Sequence, residues 1–274
     1  MQALIDSAIP QGSASIGVFD SGVGGISVLK HIRAELPNQQ LIYCADSLYT
    51  PYGNKSQDAI RLRASRLTEF LQQQTAKAIV VACNTATAAA VAQLRANTDM
   101  PIIGMEPAVK PAVAATRSGV IGIMATVGTL KSAQFAALLE NYGQGVQVVT
   151  QACHGLVECV ERGELNTPAT AALVARYLEP LLAQGADTIV LGCTHYPFVR
   201  ALIEQIAGPE IAIIDTGLAV ARQLKRRLAD LDLHIDTNPS ITFWTSGNPE
   251  QANQVITSLW GSPVSVKPLP DWAK

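Results

Sequence analysis

The chain has 274 residues, of which 48% are hydrophobic and 15% charged, and its formal net charge is −2. This composition is typical of a globular protein that buries one large core or two smaller ones. Nucleic-acid binding is not expected, because a polyphosphate requires several cations on one face and no dense Lys/Arg cluster is present. The nearest approach, "LKRR" from Leu224 to Arg227, is interpreted as a solvent-exposed helix face.

The longest nearly uncharged stretch, Ala78 to Leu94, is not expected to span a membrane, since Asn84, Thr85 and Thr87 interrupt it. We interpret it as a strand, a turn and a helix. The first fifteen residues have no basic start and no sustained apolar segment, so they are interpreted as a disordered lead rather than a secretory signal. Five cysteines without any C-x-x-C spacing favour reduced thiols in the cytoplasm over disulfides or a zinc site.

Short apolar runs alternate with helical patterns along the chain, which indicates βαβ units. The helices that the sequence bounds most clearly are, in chain order, Gly25 to Glu35, Ser56 to Gln74, and Pro168 to Leu182 after the cap Thr167. The C-terminal part adds a strand, a turn and a helix between Ile241 and Ile256. The last eight residues, "KPLPDWAK", are interpreted as a tail.

Three segments of the first half recur in the second half in the same order. They are "IGVFDSGVG" with "IGIMATVGT", "AKAIVVAC" with "ADTIVLGC", and "IIGMEPAV" with "IIDTGLAV", at offsets of 105, 110 and 111 residues. Ordered matches at nearly constant offset predict two similar α/β domains, each with an open parallel sheet covered by helices and related by pseudo-twofold symmetry. The third pair of segments would form the two crossings between them. We therefore predict a discontinuous first domain, 1–104 plus 215–274, and a second domain, 105–214.

Cys83 and Cys193 occupy equivalent positions in the repeat, each at the end of an apolar run and each followed by polar residues. Ligands of open α/β sheets bind outside the carboxyl ends of the strands, so the two cysteines should lie on opposite walls of one cleft. Cys44, Cys153 and Cys159 have no equivalent in the other half. A free cysteine is commonly a packing residue, and these three are interpreted in that way.

Several chemistries use a pair of cysteines. A redox pair needs the sulfurs within bonding distance, a metal site needs further ligands of which only His195 is nearby, and a nucleophile with its base leaves one cysteine unexplained. Two equivalent bases on opposite faces of a carbon explain the symmetry, because inversion removes a proton from one face and delivers one to the other. The residues thus favour racemisation or epimerisation.

Two further groups are candidates for tuning the thiols. Asp20 ends the first strand beside the expected position of Cys83, and His195 follows Cys193 by two residues. Each also has a structural reading, Asp20 as a helix cap and His195 as a packed histidine. The glycines of "DSGVGG" depart from a dinucleotide fingerprint because Ser27 stands where the third glycine would fall, so the segment is interpreted as a turn whose N–H groups bind a carboxylate.

Five motifs, "FDSGVGG", "PYG", "VVACNTATA", "ATVGT" and "LGCTHYP", resemble in this order those of bacterial glutamate racemases of the cofactor-independent type. Together they span about Ile16 to Val220. The form "CTHYP", with His195, resembles the glutamate enzymes rather than the related aspartate racemases. The resemblance implies interconversion of L- and D-glutamate without pyridoxal phosphate or a metal, supplying D-glutamate for peptidoglycan in the cytoplasm.

The resemblance also implies roles for individual residues. Cys83 would act on D-glutamate with the help of Asp20, and Cys193 on L-glutamate with the help of His195. Asp46 and Glu161 match further carboxylates of the family, and Glu161 is counted with the catalytic group. The implied substrate contacts are Asp20, Ser21, Tyr52, Gly53, Asn84, Thr85, Thr126, Thr129, Thr194 and His195.

The implied partner is the small-molecule substrate glutamate, with no nucleic acid or membrane, and a homodimer is a candidate assembly. Some Gram-negative members with an N-terminal lead are activated by a UDP-muramyl-alanine precursor, whereas the lead of this chain is short. Two other functions are compatible with the residues alone. One is a non-catalytic two-lobed protein that closes on a small anion, and the other is a sibling enzyme that racemises aspartate or a hydantoin.

Overall fold

The computed structural model describes residues 15–229 and 239–274, so the predicted N-terminal lead lies, except for Ser15, outside the described residues. Strands and helices alternate as predicted. The strands are β1 Ser15–Asp20, β2 Gln40–Ala45, β3 Ala76–Val81, β4 Ile102–Ile103, β5 Val120–Ala125, β6 Gln147–Ala152, β7 Thr188–Gly192, β8 Ala212–Ile214, β9 Ile241–Thr245 and β10 Val266–Pro268. The helices are α1 Ile26–Glu35, α2 Gln57–Gln73, α3 Asn84–Ala96, α4 Val109–Ala115, α5 Val127–Leu130, α6 Ala133–Tyr142, α7 Leu156–Glu161, α8 Pro168–Ala183, α9 Arg200–Ala207, α10 Gly217–Leu228 and α11 Pro249–Trp260.

The three helices bounded from sequence end within one residue of their predicted limits. The hydroxyl of Ser56 accepts a hydrogen bond from the Ala59 N–H at the start of α2. The predicted cap Thr167 does the same for Thr170 at the start of α8, where Pro168 supplies the first residue. These side chains accept hydrogen bonds from N–H groups that have no partner within the helix. The capping residues therefore allow the helix starts to be predicted from the sequence.

Within the described residues the strands form two parallel sheets, in the orders β10-β9-β2-β1-β3-β4 and β6-β5-β7-β8. The run β2-β1-β3-β4 has the same order as β6-β5-β7-β8, so the sequence repeat corresponds to a structural repeat. The first sheet draws its strands from both ends of the described chain and the second from the middle. The predicted two-sheet α/β architecture is confirmed, while the domain limits 1–104, 105–214 and 215–274 stay a prediction.

One pair of matched glycines has a packing reason. A Cβ on Gly17 of β1 would lie 2.9 Å from a methyl group of Leu71 on α2. A Cβ on Gly122 of β5, the equivalent position, would lie 3.0 Å from a methyl group of Leu181 on α8. Each glycine therefore lets an equivalent helix pack close against the centre of its sheet. β1 and β2 of the first sheet and β7 of the second are buried along their whole length, in agreement with their continuous apolar runs.

The interpretation of the last eight residues as a tail is wrong. They continue β10, an edge strand parallel to β9, and Leu269 and Ala273 are buried. The guanidinium of Arg63 on α2 donates a hydrogen bond of 2.7 Å to the carbonyl oxygen of Ala273. The ring of Trp272 lies 6.3 Å from that of Phe70, centroid to centroid. The sequence alone does not indicate this packing, because the contact residues Arg63 and Phe70 are about two hundred positions away along the chain.

Two surface interpretations can be compared with the structure. The basic residues of "LKRR" are exposed on α10, and Lys225 pairs with Glu35 of α1 at 3.2 Å.

The uncharged stretch from residue 78 to 94 divides into β3 and α3, as predicted. Among residues 15–229 and 239–274, no helix combines the length and apolar character needed to cross a membrane.

Candidate active site

The two repeated cysteines lie in the same chamber. Cys83 follows β3 and Cys193 follows β7, the central strands that occupy equivalent places in the two sheets. Both line a small chamber of about 10 Å³ between the sheets. The carboxyl ends of β1 and β5 deliver Asp20 and Thr126 to the same region, which is the location that parallel sheets favour for a ligand.

The chamber wall contains most of the side chains predicted to touch the substrate. Pro51, Val157 and Gly192 also line it and had not been predicted as site residues. Asp20, Thr129 and Glu161 lie behind the wall, each bonded to a residue that lines it. The predicted residues in the wall are Ser21, Tyr52, Gly53, Cys83, Asn84, Thr85, Thr126, Cys193, Thr194 and His195.

Cys83 is a buried thiol at the start of a helix. Its Sγ atom accepts a hydrogen bond of 3.4 Å from the Ala86 N–H in the first turn of α3, and it lies 3.8 Å from the hydroxyl of Ser21. Burial raises the pKa of the Cys83 thiol far above its usual range, and the charge of Asp20 adds to that effect. The helix N-terminus acts in the opposite direction but does not overcome burial. Burial therefore favours the protonated form of Cys83.

Asp20 is held by the glycine-rich turn that follows β1. One carboxylate oxygen accepts a hydrogen bond of 2.7 Å from the Gly25 N–H, and Thr194 lies 3.5 Å away across the interface between the sheets. Burial is the largest influence on the Asp20 carboxyl and raises its pKa, partly offset by His195. Asp20 thus contacts Ser21, which is near Cys83, and Thr194, which follows Cys193, but it does not line the chamber itself.

His195 joins Cys193 to a carboxylate on the opposite side of the ring. Its Nδ1 atom lies 3.6 Å from Sγ of Cys193, and its Nε2 atom lies 2.6 Å from Glu161 at the end of α7. The same oxygen of Glu161 accepts a hydrogen bond of 2.7 Å from the N–H of Val23. A side chain on Gly22 would collide with Glu161, and one on Gly24 with His195. The glycines of "DSGVGG" therefore make room for this pair.

The partners of His195 decide its protonation. Burial is the largest influence and would lower the pKa of the imidazole, but the hydrogen bonds to Cys193 and Glu161 outweigh it and raise that pKa well above its usual value. A protonated ring donates from both nitrogens, one toward the thiol and one toward the carboxylate. His195 is thus placed to exchange a proton with Cys193.

The expectation that the N–H groups of "DSGVGG" form a ready carboxylate site for a ligand is corrected at two positions. The N–H of Gly25 is bonded to Asp20, and the N–H of Val23 to Glu161. The turn does bind carboxylates, but they are the protein's own. The chamber instead offers hydroxyl groups and one amide side chain to a ligand.

Those hydroxyls form a cluster beside an amide that has no protein partner. The Oγ1 atom of Thr85 lies 2.9 Å from that of Thr126 and 3.2 Å from that of Thr129. Asn84 is buried, and neither its oxygen nor its nitrogen has a hydrogen-bond partner. A buried amide without partners costs about 1–3 kcal/mol. The side chain is therefore complementary to a polar ligand in the chamber.

A family model for Asp/Glu/Hydantoin racemase matches residues 16–224, well over half of the chain. The chain belongs to the Asp/Glu/hydantoin racemase family. It is accordingly an isomerase. No group of three or more His, Cys, Asp or Glu side chains within the described part of this racemase is arranged to hold a metal ion.

Similar proteins agree with this assignment over nearly the whole chain. A glutamate racemase from Pseudomonas entomophila (strain L48) is 55% identical over 260 residues, covering 94% of this chain and 98% of that protein. The crystal structure of a glutamate racemase isoform from Bacillus anthracis has a TM-score of 0.86 at 34% identity, covering 95% and 99%. That of the Escherichia coli glutamate racemase, in complex with L-glutamate and the activator UDP-MurNAc-Ala, has a TM-score of 0.85 at 30% identity, covering 94% and 98%.

The remaining carboxylate predicted from the resemblance, Asp46, lies one layer further from the chamber in this racemase. It accepts two hydrogen bonds from Arg63, of 2.8 and 2.9 Å, and one of 2.5 Å from the hydroxyl of Tyr52. Burial raises the pKa of the Tyr52 hydroxyl well above its usual value, and the charge of Asp46 adds to this effect. Asp46 therefore fixes Tyr52, which lines the chamber, while Arg63 ties both to Ala273.

We expect Arg63→Met to lower the free energy of unfolding by about 3–5 kcal/mol, because it leaves the buried Asp46 carboxylate without its charge partner. Urea denaturation at neutral pH measures the change. Arg226→Met is the matched control, since Arg226 is exposed on α10 and its removal should change stability by less than about 0.5 kcal/mol. Equal stability losses in the two variants would contradict the role assigned to Arg63.

Proposed function

We propose that this racemase interconverts L-glutamate and D-glutamate by proton transfer at Cα between two thiols, without a cofactor. The observation that carries the proposal is the placement of Cys83 and Cys193, from equivalent strand ends of the two repeats, in the wall of one chamber. Direct inversion of configuration at Cα uses a base on one face of the carbon and an acid on the opposite face. The likeness to glutamate racemases supports glutamate as the substrate.

The two thiols exchange roles with the direction of reaction. From L-glutamate, the thiolate of Cys193 takes the Cα proton, and the thiol of Cys83 gives its proton to the opposite face of the carbanion. The products are D-glutamate, a thiol at Cys193 and a thiolate at Cys83. From D-glutamate each step runs in reverse. Burial of Cys83, which favours its protonated form, suits the acid of the first direction.

Each thiol has its own auxiliary group in this scheme. His195 lies against Cys193 and passes a proton to or from it, while Glu161 orients the imidazole through the bond to Nε2. Asp20 acts on the Cys83 side as a negative charge behind the wall, bonded to Ser21. Glu161 does not line the chamber, so its role is to position His195 rather than to touch the substrate.

The polar residues of the wall bind the substrate carboxylates and ammonium group. Asn84 and the hydroxyl groups of Thr85, Thr126, Ser21 and Thr194 all lie in this wall, and those of Thr85 and Thr126 are in contact. The unpartnered amide of Asn84 gains the hydrogen bonds that it lacks once a carboxylate enters. Thr129 supports this side from behind by its bond to Thr85.

The cellular setting belongs to the same proposal. D-Glutamate made in the cytoplasm supplies peptidoglycan synthesis, and no pyridoxal phosphate or metal takes part. A homodimer is a further expectation. The activator bound by the Escherichia coli enzyme is a UDP-muramyl-alanine precursor, and the short lead of this chain argues against the same response here. Size-exclusion chromatography and assays with the precursor added test them separately.

Incubation of the purified, metal-depleted protein with L-glutamate in D₂O tests the proposal. We expect equal amounts of the enantiomers at equilibrium, with deuterium at Cα. Early in the reaction the D-glutamate should carry deuterium while the remaining L-glutamate keeps its proton, because the incoming proton comes from a second base. Binding of glutamate without isotope exchange would contradict the proposal and favour a two-lobed binding protein.

A further inference from the structure

The chamber is too small for glutamate in this state. Its volume of about 10 Å³ corresponds to roughly one water molecule. Two turns approach closely at its outer side: a Cβ on Gly128 would lie 3.2 Å from the carbonyl oxygen of Gly53, and a Cβ on Gly53 would lie 2.9 Å from Cβ of Thr126. Gly53 follows β2 of the first sheet, and Gly128 follows β5 of the second. We call this contact the gate.

A larger cavity lies directly outside the gate. Its volume is about 430 Å³, and its lining includes both glycines of the gate and Thr85. Gly53 and Thr85 also line the chamber, so the two spaces share a wall. We call this larger cavity the vestibule.

The vestibule carries positive charge. Lys55 and Lys131 both line it, together with His154, and among the described residues no aspartate or glutamate does so. Both lysines are exposed, and neither has an ion pair with a described residue. Acidic groups line adjoining cavities instead: Glu158 lines one of about 30 Å³ with His154, and Glu106 lines another with Ser132. The positive vestibule is a local feature of a chain whose net charge is −2.

Each of the two lysines follows one glycine of the gate closely along the chain. Lys55 is two residues after Gly53, and its N–H donates to the carbonyl oxygen of Tyr52 at 3.0 Å. Lys131 is three residues after Gly128, and its N–H donates to the carbonyl oxygen of Val127 at 3.0 Å. The backbone is therefore held at both positions, and both lysines line the vestibule.

We propose that the vestibule is an entry subsite for the dicarboxylate substrate, in which Lys55 and Lys131 attract glutamate before the gate admits it to the chamber. The proposal rests on glutamate being the substrate. Glutamate carries two carboxylates and one ammonium group, so its net charge is negative at neutral pH. Neither lysine lines the chamber, and neither takes part in the proton transfers.

The expected effect is electrostatic and moderate. Two charges in water about 4 Å apart interact by about 1 kcal/mol, and salt screens exposed charges over about 10 Å at 0.1 M ionic strength. The subsite should therefore raise the rate of productive encounter without changing the chemistry. It should act on kcat/KM, act most strongly at low salt, and depend on the charge of the ligand.

The test compares the double variant Lys55→Glu/Lys131→Glu with the intact protein. We expect kcat/KM for glutamate to fall about tenfold at low ionic strength and to recover as salt is added. The value of kcat at saturation should stay within about twofold, since the groups that transfer protons are unchanged. Calorimetric titration with L-glutamate should show weaker binding under the same low-salt conditions.

Two controls separate this effect from a general change of charge. Lys30→Glu/Lys77→Glu gives the same net charge from two exposed lysines that line neither the chamber nor the vestibule, and it should bind glutamate as the intact protein does. Glutamine, which has no net charge, should inhibit the intact protein and the vestibule variant equally. Equal losses in the two double variants, an effect that salt does not remove, or a loss confined to kcat would overturn the proposal.

The failure of this proposal and the failure of the two-thiol mechanism are distinguishable. If the intact protein racemises glutamate with the expected dependence on Lys55 and Lys131, but Cys83→Ser or Cys193→Ser keeps normal inversion, the two-thiol mechanism fails and the vestibule stands. If racemisation proceeds normally and the vestibule variant matches its control in both assays, the mechanism stands and the vestibule fails.

Discussion

Replacement of either Cys83 or Cys193 by serine should lower the racemisation rate by at least about a hundredfold from both enantiomers. Each variant retains a base on one face of Cα but lacks a comparable acid on the other, because a serine hydroxyl is a much weaker acid than a thiol. Because both residues are buried, a water molecule cannot replace the missing thiol as an efficient proton donor or acceptor. Chiral chromatography of the reaction mixture measures the rates.

The two variants should differ in isotope exchange. With Cys193 intact, Cys83→Ser should still exchange the Cα proton of L-glutamate in D₂O while returning the deuteron to the same face. Cys193→Ser should do so with D-glutamate. Proton NMR of the Cα signal, with each pure enantiomer, measures the exchange. The reverse pattern would show that the assignment of Cys83 to D-glutamate and Cys193 to L-glutamate is inverted.

Cys159→Ser is the matched control for these variants. Cys159 is equally buried, lies on α7 outside the chamber wall, and has the Arg162 guanidinium 3.7 Å from its sulfur, so a hydroxyl at this position has a partner. We expect near-normal racemisation by this variant. Normal inversion by Cys83→Ser or Cys193→Ser would exclude the two-thiol mechanism, whatever the control does.

The parts of the fold that sequence predicted are those set by local pattern. Continuous apolar runs mark strands buried on both faces, and capping residues such as Ser56 and Thr167 mark helix starts. The repeat predicts two similar sheets, because similar sequences at constant offset adopt similar units, and the shared strand order is found in the structure. Cys83 and Cys193 could be found by the same comparison, since their equivalence is visible without any contact.

The remaining features depend on contacts between distant parts of the chain. The bond from Arg63 to Ala273 joins residues 210 positions apart, and no periodicity near either end indicates it. Glu161 could be selected by resemblance, but its bonds to both His195 and Val23 follow from how α7 packs against the glycine turn. Lys55 and Lys131 look like ordinary surface lysines in the sequence. Their relation appears only when the two sheets face each other.

Substitution of His195 by asparagine should lower kcat/KM by about a hundredfold, and equally from L- and D-glutamate. The equality is a thermodynamic requirement, because the enantiomers have the same free energy and their equilibrium constant is one for any variant. Asparagine keeps a polar group at this buried position but cannot carry a proton between Cys193 and its surroundings. Initial rates from each pure enantiomer measure the loss.

Deuterium at Cα distinguishes a damaged proton transfer from a general disturbance of the site. If His195 serves Cys193, proton removal from L-glutamate becomes the slow step, so the isotope effect on kcat/KM should increase with deuterated L-glutamate. With deuterated D-glutamate it should decrease, because Cys83 removes that proton in a fast step before the slow one. His154→Asn, at an exposed histidine of the vestibule, should leave both isotope effects unchanged. Equal isotope effects from both enantiomers of the His195 variant would contradict the pairing of His195 with Cys193 and leave it a structural residue beside Glu161.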